Sequence, residues 1–284
     1  MLRRSAACSF LLLVIASRVE AEESSIWQEA VDPSLAPARP MIAELRAVLA
    51  SEPDRDRLEA ALLVANRLLT IRPRDPQARH LRGRVLDGLG RWSEAASDLR
   101  EALRIEPDGP IAHEVAFDLG VVLTRLQQWA EAARAYRRFL EETPWPRERA
   151  IASTNLAETL MGAGRLEEAI AEYRLAVATE PRYTHGHLGL AVALDRQGDA
   201  ASAREAMLQA LSTGAGLAEL DGPAVFFVPA YEAHYYRALA AEVADEVERA
   251  LHEWRSFLAE GGSASPYADR VREHIEALGH RAAP

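Results

Sequence analysis

Lysine is absent from the 284-residue sequence, so its 33 basic residues are all arginines. This absence excludes catalysis through a lysine Schiff base and the lysine of a phosphate-binding loop. The arginines are interspersed with acidic residues along helical segments, and the formal net charge is -10. An acidic chain without a basic stripe argues against a nucleic acid partner.

The sequence also lacks an apolar run long enough to span a membrane. Its longest apolar run lies near the N-terminus. Arg3-Arg4 precedes an apolar stretch from Ala6 to Ala16, and Val19-Glu20-Ala21 then supplies small residues at the positions that a signal peptidase reads. The stretch is shorter than the roughly 18 apolar residues of a membrane anchor. This order of features predicts a secretory signal peptide over residues 1–21.

Cysteine occurs once, as Cys8, inside the predicted signal peptide. The mature chain would therefore form no disulfide, and its fold must depend on a packed core. Because Arg3-Arg4 is not followed by the rest of a twin-arginine signal, we expect export by the general secretory route. The expected location is the periplasm, with secretion as the alternative, and the mature chain should have no transmembrane span.

Residues that favour β-strands are scarce, and aromatic residues make up only 6% of the chain. Alanine, leucine, arginine and glutamate, which favour helices, are abundant instead. Hydrophobic residues make up 49%, which is enough for a sizeable core and too much for a disordered chain. We therefore expect an all-helical globular protein.

One sequence pattern recurs around an alanine, at steps of 34, 37, 37, 34 and 47 residues: Ala61, Ala95, Ala132, Ala169, Ala203 and Ala250. Twelve residues earlier, the positions are mostly small: Leu49, Gly83, Gly120, Ala157, Ala191 and Ala238. Four residues later, they are mostly bulky: Ala65, Leu99, Tyr136, Tyr173, Met207 and Trp254. A small residue in one helix lets a second helix approach, and the bulky residue fills the space opposite. The pattern predicts helix-turn-helix units.

Glycine and proline mark the ends of these helices. Gly90, Gly164 and Gly198 fall between the two helices of their units, where a residue that tolerates positive φ ends the first helix. A proline closes four of the units: Pro73, Pro107, Pro144 and Pro181. Each should end one second helix and precede the next first helix.

The stretch from Gly83-Arg84-Val85-Leu86 through Gly90-Arg91-Trp92 and Ala95 to Pro107 resembles the tetratricopeptide repeat. That family has a period of about 34 residues with this pattern of small, bulky and proline positions. The chain is similar to exported bacterial members of the family. The resemblance implies an all-α fold, a right-handed α-solenoid of about six helix-turn-helix units with a C-terminal capping helix.

The same register divides the chain into segments. Residues 1–21 are the signal peptide, 22–40 a tether or irregular N-terminal cap, 41–264 the solenoid, and 265–284 the capping helix and tail. The six predicted units cover about 42–75, 76–109, 113–146, 150–183, 184–217 and 231–264, with an insertion at 217–230.

In tetratricopeptide folds the first helices of successive units line a concave groove, and the resemblance implies which residues line it here. These candidate groove residues are Arg46, His80, Arg84, Phe117, Val121, Thr154, Glu158, Leu188, Val192, Tyr235 and Leu239. A groove that is polar and basic at one end and apolar at the other suits an amphipathic helix or an extended peptide. The alternative is that some of these side chains pack between units. The family's lysine-containing clamp for chaperone C-termini is excluded, because the chain has no lysine.

The insertion at 217–230 supplies a second candidate surface, rich in aromatic residues. Its candidate binding residues, with those that follow it, are Phe226, Phe227, Tyr231 and Tyr236. Exposed aromatic residues at this density are typical of an interface. The alternative is that the insertion packs its aromatic rings against its own solenoid.

Patterns typical of enzymes are missing. His185 and His187 are two residues apart, which places them on different sides of a helix, so they cannot bind one ion together. No Gly-rich nucleotide loop is present. We expect no catalytic activity, no cofactor and no metal.

The predicted function is therefore a non-catalytic exported scaffold that binds a protein or peptide segment. Its place in a bacterial cell-envelope assembly is implied by the resemblance alone. The alternative is a carbohydrate- or lipid-binding module that uses the aromatic insertion.

Overall fold

Helices make up the protein over residues 32–213 and 227–282, the part that the structure, a computed structural model, describes. These ranges contain thirteen α-helices, a short 3-10 helix at Gly262–Ala264 and no strand. The expected all-α class is thus confirmed. The predicted signal peptide, Phe226 and most of the predicted insertion lie outside the described residues.

The chain divides into an N-terminal unit, residues 1–107, and a C-terminal unit, residues 108–284. The N-terminal unit contains α1 (Leu35–Leu49), α2 (Arg55–Ile71), α3 (Pro76–Gly88) and α4 (Trp92–Ile105). The C-terminal unit contains α5 (Ala112–Arg125), α6 (Trp129–Glu142), α7 (Pro146–Gly162), α8 (Leu166–Thr179), α9 (Thr184–Gln197), α10 (Ala200–Ser212), α11 (Glu232–Val243), α12 (Val247–Ala259) and α13 (Ala268–Ala282).

Helix α1 begins at Leu35, inside the segment that the sequence suggests as a tether or irregular cap. Two prolines did not prevent this helix: Pro37 lies in the first turn, where an amide N–H has no acceptor within the helix, whereas Pro40 removes one hydrogen bond further along. Arg72 holds this end in place, because its guanidinium pairs with Asp32 at 2.5 Å and with Asp75 at 2.6 Å.

Glycines bring the paired helices close together at the positions that the repeat register predicts. A Cβ on Gly83 would lie 3.0 Å from the Leu99 side chain, and one on Gly120 would lie 2.7 Å from the Tyr136 ring. Both partners are buried. These predicted contacts between small and bulky residues are therefore confirmed.

The turns between paired helices need left-handed backbone. Gly90, Gly164 and Gly198 supply it with φ of 73°, 75° and 94°, as the sequence predicts. The corresponding turns before α6 and α12 place Gln127 at φ 56° and Asp245 at φ 62°. A side chain with a Cβ is strained in this region, so these two turns are less favourable than the glycine turns.

In the C-terminal unit each first helix packs on its own second helix and on the next first helix, so α5, α7, α9 and α11 form one layer. Helix α13 then packs on α12 and buries Val271 and Leu278. It covers the last apolar surface of this unit, as a terminal cap in a repeat protein must.

Candidate functional site

A cavity of about 290 Å³ opens in the C-terminal unit. Residues of α7, α9 and α11 line it, together with the turn between α5 and α6, the stretch at 227–229 and the turn before α13. Its charged residues are Glu158, Arg196 and Glu232, and its aromatic residues are Trp129, Phe227, Tyr231, Tyr236 and Tyr267. Concave sites that combine aromatic walls with a few polar groups are the usual form of a binding site.

Arg196 is the positive charge of this cavity, and its side chain is only 3% exposed. Its guanidinium pairs with Glu232 and lies 4.4 Å from the Tyr235 ring centroid and 4.3 Å from that of Tyr267. Burial alone would lower the pKa of Arg196, but the Glu232 carboxylate more than compensates and keeps that pKa above its ordinary value. Arg196 is therefore a fixed charge that already has its counter-ion.

Glu158 is the cavity's second acidic residue, and its side chain is partly buried on α7. Burial raises the pKa of Glu158 to about 7. Within the described residues no hydrogen bond or ion pair to its carboxylate is present. This carboxylate therefore ionises near neutral pH, and it has no charge partner in the part of the chain that the structure describes.

The candidate groove residues of the C-terminal unit differ in how much surface they present. Phe117, Val121 and Glu158 are partly exposed. Those that are buried in the packing of the helices are Thr154, Leu188, Val192, Tyr235 and Leu239. Phe117 itself packs on the rings of Tyr136 and Phe139, with ring centroids 5.8 Å and 5.0 Å away. Fewer of the candidate residues in this unit are therefore accessible to a partner than the sequence implied.

The candidate groove residues of the N-terminal unit also divide by exposure. His80 is 5% exposed and belongs to the packed interior of that unit. Arg46 and Arg84 are exposed at the surface. Of these three residues, only the two arginines are therefore accessible to a partner.

Described residues of the insertion pack largely against their own unit. Phe227 lies 5.2 Å from Tyr236, and Tyr231 lies 5.2 Å from Phe257, measured between ring centroids. Tyr236 is 4% exposed. Phe226 lies outside the described residues. Packing and a role in the cavity coexist here, because Phe227, Tyr231 and Tyr236 also line the cavity.

A buried polar network ties α13 to α9, α11 and α12. The Tyr235 hydroxyl donates to Asp195 at 2.7 Å, and Arg270 donates to the same carboxylate at 2.6 Å. His274 lies between Asp195, at 3.0 Å, and Glu242, at 2.8 Å. The Trp254 indole also donates to Glu242.

The charges in this network stabilise one another. Burial alone would raise the pKa of Asp195, but hydrogen bonds from His274 and Arg270 hold it below its ordinary value. Burial alone would lower the pKa of His274, but Asp195 and Glu242 together raise it to about 9. At neutral pH, His274 is therefore an imidazolium that donates from both ring nitrogens.

Sequence reasoning missed this network and the pairing of Arg196. Asp195 and His274 are 79 positions apart, and each reads as one charge on a helix surface. One signal was available in the sequence: Asp195 and Arg196 directly follow the run from Leu188 to Leu194 on α9, whose residues are all apolar and buried.

Metal-binding geometry is not found among the described residues, where no group of three His, Cys, Asp or Glu side chains could hold an ion. The Nε2 atom of His187 lies 2.9 Å from the Pro181 carbonyl oxygen, while the His185 ring lies beside Tyr183 at 5.7 Å. The helices of the described ranges include none that is both long enough and apolar enough to cross a membrane.

Pairs of helices repeat along the chain. Left-handed turns join the two helices of a pair, and contacts between small and bulky residues pack them together. This arrangement defines an α-helical repeat protein. Family models described as tetratricopeptide repeats match residues 45–117, 117–184 and 154–218. These matches run from residue 45 to residue 218, which is more than half of the chain. The chain belongs to the tetratricopeptide repeat family. No curated protein matches its sequence.

Solved tetratricopeptide structures share the fold at low sequence identity. MamA from Desulfovibrio magneticus RS-1 is 21% identical over 62% of this chain and 94% of its own, with a TM-score of 0.55. The pilF protein of Pseudomonas aeruginosa is 14% identical over 88% of this chain and 100% of its own, with a TM-score of 0.59. YrrB, described as having an unusual peptide-binding site, is 20% identical over 66% of this chain and 91% of its own, with a TM-score of 0.53. At these identities the likeness shows the fold alone.

Proposed function

We propose that this protein is a non-catalytic adaptor that binds a segment of another protein on the inner surface of its C-terminal unit. We define that surface as the accessible parts of α5, α7, α9 and α11 with the cavity between them. The observation that carries the proposal is the cavity itself, which combines aromatic walls with a carboxylate that none of the described residues pairs with. Concave sites with aromatic walls and a few polar groups bind ligands, and helical scaffolds commonly use such grooves to hold peptide segments.

Two further observations support a protein or peptide as the ligand. The chain belongs to a family of repeat proteins, and stacked repeats of this kind provide extended binding surfaces. YrrB, which shares the fold, is described as a peptide-binding protein. Phe117 and Val121 on α5 continue the accessible surface beyond the cavity, so a segment longer than one side chain could be held.

A carbohydrate or lipid is the alternative ligand. Sugar rings stack on aromatic faces that are open to solvent, and acyl chains need a continuous apolar channel. Here Tyr236 is 4% exposed, and the rings of Phe227 and Tyr231 pack on neighbouring rings. These three rings are therefore not free for a sugar to stack on, which favours the protein-binding proposal.

The proposal includes export to the cell envelope, which rests on residues 1–21 of the sequence. It is tested by expressing the full chain with a C-terminal tag in a bacterium and measuring the N-terminus of the envelope form. The expected N-terminus is Glu22, because Ala21 ends the predicted cleavage site. A full-length chain that stays in the cytoplasm would contradict this part of the proposal.

Binding on the inner surface is tested with a photo-crosslinking amino acid placed at Val121, in the native host. The matched control places it at Leu175, which is 47% exposed on the second helix α8. We expect a discrete protein adduct from position 121 and none from position 175. Adducts from position 175 alone would move the site to the second helices, and recovery of polysaccharide without protein would favour the alternative ligand.

A further inference from the structure

The charges that line the cavity do not balance. Glu158 and Glu232 are acidic, Arg196 is basic, and Arg196 is already paired with Glu232. Among the described residues that line it, the ionised cavity therefore has one negative charge in excess, on Glu158. A partly buried carboxylate without a partner is unfavourable, because it has lost hydration without gaining a counter-ion. A ligand that brings one positive charge would remove this penalty.

Aromatic side chains line the same cavity and suit the same kind of ligand. Trp129 and Tyr267, which are both partly exposed, contribute to its walls. The faces of such rings attract cations, and Arg196 already uses this interaction with Tyr267 at 4.3 Å. The apolar stem of a long basic side chain would pack on these rings while its charged end reaches the carboxylate.

The size of the cavity limits what it can hold. Pockets for drug-sized ligands measure about 300–1,000 Å³, and this one, at about 290 Å³, lies at the lower limit. It is too small for a peptide backbone with its side chains, and large enough for one long side chain. The rest of a bound segment would lie outside, along the accessible surface at Phe117 and Val121.

We propose that the cavity receives one arginine or lysine side chain of the bound protein segment, with the Glu158 carboxylate as its counter-ion. This inference rests on the proposed function, which it makes more specific: the partner segment must present a basic residue next to apolar ones. Glu158 then determines specificity, because a neutral side chain in the cavity would leave its charge unpaired.

The proposal is tested by selecting displayed random peptides on the full chain at pH 8. The wild type is compared with Glu158→Gln and with the control Glu167→Gln, which makes the same change of charge at an exposed residue of α8. We expect the wild type and the control to enrich peptides with a basic residue at one position. Glu158→Gln should retain apolar preferences and lose the basic one.

A second measurement separates the ion pair from a loss of fold. The best enriched peptide is synthesised with its basic residue as arginine and again as citrulline, which has nearly the same shape and no charge. The change should weaken binding to the wild type by at least about tenfold, because a charge-assisted hydrogen bond is lost. It should weaken binding to Glu158→Gln by clearly less, about two- to fivefold, because only the attraction of the charge to the aromatic rings remains there.

The outcomes distinguish this inference from the proposed function. Enriched peptides without a basic position, or an equal effect of citrulline on both proteins, would overturn the inference and leave peptide binding intact. If neither protein enriches any peptide, both proposals fail together. Thermal unfolding of each variant, measured alongside, shows whether lost binding reflects a lost fold.

Discussion

His274 of the C-terminal helix α13 lies stacked on Trp254 of α12, with ring centroids 4.7 Å apart and an angle of 22° between the rings. The same imidazole pairs with Asp195 of α9 and Glu242 of α11, so one residue connects the cap to three preceding helices. Stacking of a cationic ring on an indole adds a cation–π contribution to these ion pairs. The cap is thus held by a charge as well as by its apolar face.

We expect the stability of the C-terminal unit to depend on the charge of His274. Its pKa is raised in the folded state, from 6.5 to about 9, so the stabilisation is fully present below pH 6.5 and is lost as pH rises through about 9. His274→Gln should lower the free energy of unfolding by about 1–3 kcal/mol at pH 6 and by less at pH 10. Urea unfolding at several pH values checks this. His280→Gln, at an exposed position of the same helix, is the matched control.

Glu158→Gln should stabilise the ligand-free protein. Because burial raises the pKa of Glu158 from 4.5 to about 7, the folded state favours the protonated form, and ionisation above pH 7 opposes folding. The neutral amide should therefore raise the free energy of unfolding by about 1–2 kcal/mol at pH 8, after allowance for partial exposure, and by little at pH 4. Thermal unfolding at the two pH values measures this.

The groups that face Glu158 also favour a stabilising effect of Glu158→Gln. Tyr136, Tyr173 and Tyr236 approach it from α6, α8 and α11, and all three are neutral at pH 8 because burial raises their pKa values. The positive charge of Arg196 is already paired with Glu232. A destabilised Glu158→Gln variant at pH 8 would indicate that the carboxylate has a partner in solution, and would count against the proposed basic-residue site.

The turn at Gln127 should be improved by glycine. Gln127 has φ 56°, where a Cβ costs about 1 kcal/mol, so Gln127→Gly should stabilise the C-terminal unit by up to that amount. Gly164→Ala is the reverse change at φ 75°, with nothing within 4 Å of the added Cβ, so it should destabilise through the backbone alone. Chemical denaturation of both variants measures the two effects. Equal effects of the same sign would contradict this explanation.

Close packing at Gly189 should make alanine unfavourable there. A Cβ would lie 2.1 Å from the Tyr173 ring, so Gly189→Ala should destabilise by about 1–3 kcal/mol through overpacking. Adding Tyr173→Leu should recover part of the loss, because it makes room for the methyl group. Gly279→Ala, where nothing lies within 4 Å, should be neutral or slightly stabilising. Melting temperatures of the wild type, Gly189→Ala, Tyr173→Leu and the double variant test whether the two changes are coupled.

Local spacing alone determined the helical pairs of this protein. Gly83 and Leu99 lie sixteen residues apart in one unit, as do Gly120 and Tyr136, and their contact follows from two helices joined by a short turn. Gly90 and Gly164 mark the turns for the same reason, since a left-handed residue must end the first helix. Such features depend on chain geometry within one repeat, so the sequence predicts them.

Only the tertiary structure decided which polar groups are buried together and which surface stays open. Asp195 and His274 meet because α13 packs back on the preceding helices, and Leu188 and Val192 are buried because neighbouring first helices cover them. Glu158 is distinguished from the other glutamates by its surroundings, which raise its pKa to about 7, and not by its spacing. The physical reason is that burial and pairing depend on neighbours contributed by other repeats, and the pattern within a single repeat does not contain those neighbours.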